Sequence, residues 1–106
     1  METPAYQPIF VPTKTAVLLV FMPGQPPDRR STEGLLQRVQ GILGNAVRIT
    51  KVETGLHPDV VSTFGVQSFP SFVLVKRGVE VWRHSGLIDR DELILLLSGH
   101  LGMAGI

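Results

Sequence analysis

Phe64-Gly65-Val66-Gln67-Ser68-Phe69-Pro70-Ser71-Phe72-Val73-Leu74 is the stretch on which the fold turns. A glycine closes a short helical run, and a proline then leads directly into an apolar strand. Pro58 near its first turn and Gly65 just past its end frame 58–64 as a helix. Downstream, Ser71–Val75 and Val79–Arg83 alternate around Lys76-Arg77-Gly78, whose glycine suits a tight turn, so the two segments predict an antiparallel hairpin. Asp89-Arg90-Asp91-Glu92 has the spacing of a capping box and opens a last helix through Leu93–Leu97 to about Leu101.

Upstream, Ala16-Val17-Leu18-Leu19-Val20-Phe21 is an unbroken apolar run of strand length, the pattern of a central strand buried on both faces. Met22-Pro23-Gly24-Gln25-Pro26-Pro27-Asp28 follows as a loop. Leu35, Leu36, Val39, Ile42 and Leu43 then recur at helical spacing until Gly44-Asn45 ends the run. Val47–Val52 predicts a second strand, and the intervening helix implies a parallel crossover. The order is β-α-β-α-β-β-α. Residues 1–15 form an extended arm in which Pro4, Pro8 and Pro12 each remove a backbone donor, leaving room for a short edge strand near Ile9–Val11. The domain spans 16–101, and 102–106 is a tail.

The chain has 106 residues, 43% of them apolar and 18% charged, with a formal net charge of +1 and no cysteine. One domain is expected at that length, large enough to need no staple. So small a charge gives no field to draw nucleic acid or an acidic membrane, so a partner must be selected by shape. No segment approaches the length of a membrane span, and Met1-Glu2-Thr3-Pro4 lacks the basic start and apolar run of a leader, which makes the cytoplasm the expected compartment. His57, His84 and His100 lie in different elements, without metal spacing. Ser68, Ser71 and Thr63 have no sequence-visible base beside them. No metal, cofactor or catalytic triad is expected.

Between about Ala16 and Leu101, roughly four-fifths of the chain, the sequence resembles the thioredoxin family and aligns to a bacterial thioredoxin without a gap. Its landmarks are Phe21 ending the central strand, Gly65 after the short helix, Phe69-Pro70 in the place of the family's Ile-Pro, the turn at Lys76-Arg77-Gly78, and Gly86 after the last strand. The resemblance implies a thioredoxin-like α/β fold, a central mixed sheet flanked by helices, here with a shortened N-terminal region lacking the first helix. It also implies that Pro70 is a cis-proline, exposing the Phe69 backbone to an extended peptide.

The departures bear on function. In the same register the family's Trp-Cys-Gly-Pro-Cys falls on Gln25-Pro26-Pro27-Asp28-Arg29, and its buried aspartate falls on Val20. A thiolate is the nucleophile of dithiol-disulfide exchange, so a chain without cysteine cannot form the mixed disulfide. Loss of the aspartate as well reads as a naturally non-redox protein rather than a trapping mutant. Lys51 loses its partner at position 20 and is expected to reach solvent or to pair with an acid such as Glu53 or Asp59.

Asp28 is expected to cap or charge-complement the first helix, with Arg29 and Arg30 solvated and Arg29 free to meet a carboxylate on a partner. His57 and His100 are expected at exposed helix ends. In the last helix Leu93, Leu96 and Leu97 form a core stripe, while Ile94 and Leu95 point elsewhere, which suits burial under the arm and tail or a homodimer surface.

The expected function is therefore binding, as an adaptor or assembly chaperone, with an extended peptide lying across the degenerate positions and Thr54, Ser68, Phe69, Pro70, Gly86 and Leu87. The rival readings are a glutathione- or small-anion-binding member of the superfamily and a structural dimerising subunit. Similarity alone would suggest thioredoxin and cell redox homeostasis, which the missing sulfurs oppose.

Overall fold

The computed structural model describes residues 16–102; the arm, its expected strand near Ile9–Val11 and the tail beyond Gly102 lie outside the described residues. Strand β1, Val17–Phe21, is buried along its whole length. Helix α1 spans Asp28–Leu43 and is followed by a short 3-10 turn, Gly44–Ala46. Strand β2 is Arg48–Val52, helix α2 is Pro58–Phe64, strands β3 and β4 are Ser71–Lys76 and Val79–Ser85, and helix α3 is Arg90–Leu101.

The four strands are ordered β2-β1-β3-β4. β1 runs parallel to β2 and antiparallel to β3, which is antiparallel to β4. Apolar runs on both faces of β1 call for two covering layers. On one face Leu18, Val20, Phe72 and Leu74 pack with Leu36, Val39 and Leu43 of α1 and Leu93, Ile94 and Leu97 of α3. On the other, Val17, Leu19, Phe21, Val52, Val73 and Val75 meet Val60, Val61 and Phe64 of α2. Phe21 and Phe64 make an edge contact with ring centroids 6.0 Å apart.

The turns follow their residues. Gly65 ends α2 in the left-handed region, where its amide bonds the Ser62 carbonyl. The β3–β4 turn has positive φ at both Arg77 (53°) and Gly78 (78°), the pattern of a primed two-residue hairpin turn. Asp89 caps α3, its carboxylate accepting from the amides of Asp91 and Glu92.

Two side chains differ from expectation. Ile94 is buried, because it joins the core that α3 shares with α1 and one face of the sheet, while Leu95 remains 67% exposed. His57 is buried at 7% exposure, since its Nδ1 accepts the Glu53 amide and fixes the ring beneath the β2–α2 loop. Trp82, on the edge strand β4, is half-buried and packs against the α1/α3 layer. Its indole stacks on His84 at 6.2 Å.

Candidate functional site

Strand register gathers the loops that matter. Phe21 is opposite both Val52 and Ser71, and Ser71 is opposite Ser85. Residues 22–28, 53–57, 68–70 and 86–89 therefore all leave one end of the sheet. Two backbone bonds fasten them: the Met22 amide to the Val52 carbonyl at 3.0 Å, and the Gly86 amide to the Pro70 carbonyl at 2.7 Å. All of Gln25, Pro26, Pro27, Asp28, Arg29, Thr54, Ser68, Phe69, Pro70, Gly86 and Leu87 stand at or beside this end.

The Phe69–Pro70 peptide is cis, and so is Pro26–Pro27. Pro70 is buried and Phe69 half-buried against the α2-side core. The Ser71 hydroxyl donates to the Ser68 carbonyl at 2.7 Å and holds the turn. Among the described residues, neither the Phe69 N–H nor its C=O has a hydrogen-bond partner. Gly24–Asp28 are exposed above the buried Pro23. Leu56 and Leu87 are large apolar side chains open to solvent, at 38% and 58%. These two leucines stand on a rim that also exposes Gln25, Asp28, Thr54 and Ser68.

α1 begins without a side-chain cap, because its N-cap residue is Pro27. Asp28 acts as the acidic residue of the first turn, where it complements the helix dipole, and its carbonyl accepts the Thr32 hydroxyl at 2.8 Å.

Arg29 is not solvated as a free cation. It donates to both carboxylate oxygens of Glu53, at 3.0 and 2.7 Å, and to the Pro23 carbonyl at 3.1 Å. The Arg29 hydrogen bond holds the Glu53 carboxyl below the usual carboxylate range, although partial burial works against it. Glu33 approaches Arg29 at 3.9 Å and takes the Lys51 amine at 3.6 Å. Lys51 thus reaches solvent, and its acid is Glu33 rather than Glu53 or Asp59. Val20, opposite Lys51 in the sheet, is fully buried.

Glu53 and His57 are the residues that sequence reasoning left out of the site. Their contacts to Arg29 and to the β2–α2 backbone depend on loop geometry, and no local motif announces them. Among the described residues no cluster of three His, Asp or Glu side chains is placed to hold a metal, and no helix is long and apolar enough to cross a membrane.

The family profile described as Thioredoxin matches residues 11–98. The chain belongs to the thioredoxin family. A thioredoxin of Chlamydia muridarum is 43% identical over 54 residues, 51% of this chain and 53% of that protein. The chain thus spans about half the length of the curated thioredoxins it matches. Thioredoxin-2 of the malaria parasite, described as a component of a protein secretion machinery, superposes with a TM-score of 0.78 at 18% identity, covering 94% of this chain and 98% of that one. A thioredoxin variant from Halobacterium salinarum gives 0.74 at 22% identity, covering 83% and 76%. At such identities these structures speak for the thioredoxin fold, which here carries no sulfur at the helix start.

Proposed function

We propose that this chain is a redox-inactive member of the thioredoxin family that works by holding an extended segment of a client protein, as an adaptor or assembly chaperone. The observation that carries the reading is the Phe69 backbone, unpaired among the described residues, beside a cis-proline and flanked by exposed Leu56 and Leu87, in a chain without cysteine. An extended peptide can add to such a backbone as a strand while its side chains use the two exposed leucines. On α3 only Leu95 is a large apolar side chain open to solvent, which favours the loop end of the sheet over that helix as the binding surface.

Two measurements test the reading. Reduction of insulin by dithiothreitol is expected to proceed at the buffer rate in the presence of this protein; acceleration would overturn the redox-inactive assignment. Short extended apolar peptides are expected to bind the full chain and to lose about tenfold in affinity on Leu87→Glu, which places a charge on the rim. Leu87 is exposed, so the core should tolerate the change. Equal binding by both proteins would remove the groove from the function.

A further inference from the structure

A guanidinium at the start of α1, where the family resemblance places the second sulfur, would ordinarily recruit a carboxylate from a client. Here it is already occupied. Glu53 engages Arg29 through both oxygens, and the Pro23 carbonyl takes a further N–H. Glu33 does not stand free to replace Glu53, since the Lys51 amine lies 3.6 Å from it. Arg29 and Lys51 with Glu33 and Glu53 make two cations against two carboxylates, and the cluster is locally neutral.

We infer that Glu53 sets the specificity of this site: by silencing Arg29 it restricts the cleft to extended segments that carry no carboxylate where they cross the start of α1. The inference rests on the groove reading above. A client carboxylate would have to displace one tethered beside Arg29 by the chain itself, which competes at high effective concentration. It would also leave Glu53 half-buried without its donor, a cost that an alanine or valine in the same place avoids. A client ammonium is not excluded in this way, because the exposed carboxylate of Asp28 stands at the start of α1 outside these pairs.

The test uses the full-length chain and fluorescein-labelled peptides of alternating valine and serine that differ only in a central alanine or aspartate. The wild type is expected to bind the alanine peptide about tenfold more tightly than the aspartate one. Glu53→Gln should bring the aspartate peptide level with alanine or above it. Glu53→Ala should do the same.

Circular dichroism establishes which variants are folded, and both substitutions are at a partly exposed side chain, so if one fails to fold the other decides. Wild-type binding that depends on Leu87 yet treats alanine and aspartate alike overturns this inference and leaves the groove standing. An unchanged order of peptides in a folded variant overturns it too. Absence of peptide binding, or binding indifferent to Leu87→Glu, overturns the groove reading and the inference with it.

Discussion

Val20→Asp returns a carboxyl to the position where thioredoxin resemblance places the family's buried aspartate, and this structure predicts that it will be poorly tolerated. Val20 has no exposed surface, and it packs in the layer that holds Leu36, Val39, Phe72 and Leu93. Its neighbour across the sheet, Lys51, sends its amine outward to Glu33. Losing the buried valine and enclosing an unpaired carboxyl together cost about 4 kcal/mol at pH 7. That is a large share of the roughly 5–15 kcal/mol typical of a domain.

With a urea slope near 1.3 kcal/mol per M, the midpoint should fall by about 3 M. Val20→Asn, which cannot ionise, serves as the control. Burial raises the aspartate's folded pKa above its unfolded value, so the folded state holds a proton that the unfolded chain has released, and stability must fall as pH rises between the two. The gap between the Asp and Asn variants should therefore open by about 1.4 kcal/mol per pH unit above the ordinary carboxylate value. Urea melts by circular dichroism at several pH values measure this. A loss below about 1 kcal/mol, or a pH-independent gap, would show that Lys51 can swing inward and that this layer is not dry.

Glu53→Gln gives a second pH test. The hydrogen bond from Arg29 lowers the Glu53 pKa in the folded state, so its stabilisation is complete above the ordinary carboxylate value and is lost as pH falls through the depressed one. The difference in Tm between wild type and variant should close in acid; a difference that widens there would reverse the assignment. Asp89→Ala removes the acceptor of the Asp91 and Glu92 amides and should cost about 1 kcal/mol in chemical denaturation. Arg77→Asn places a residue more tolerant of positive φ before Gly78, and the resulting Asn-Gly turn should raise stability by about 0.5 kcal/mol in the same assay.

Most of the fold was legible because its signals are local. The apolar run at 17–21 needs no partner to read as a buried strand, and Gly65, Gly78 and Asp89 mark their turns or caps by chemistry that acts within a few residues. β4 runs on to Ser85 rather than stopping at Arg83, where a polar strand edge carries little hydrophobic period. What the sequence hid was contact across the fold. Ile94 and Leu95 are adjacent leucine-like residues, and only the packing of α3 against α1 and the sheet decides that one is covered and the other open. His57 looks like an exposed helix entry until the loop folds back to give its ring nitrogen an amide.

The candidate site divides along the same line. That residues near 25, 54, 69 and 86 share one end of the sheet follows from strand order and register, which the sequence pattern constrains. The state of Arg29 does not follow, because the residue that neutralises it is 24 positions away, in a loop without a motif. The distinction alters the chemistry expected of the cleft. An arginine read from sequence would make the helix start an anion receptor; the folded chain pairs it with a carboxylate, beside a Phe69 main chain that is unpaired among the described residues. Main-chain pairing is indifferent to side-chain identity, so selectivity between a client carboxylate and an uncharged residue at the helix start must come from the cost of displacing Glu53 from Arg29.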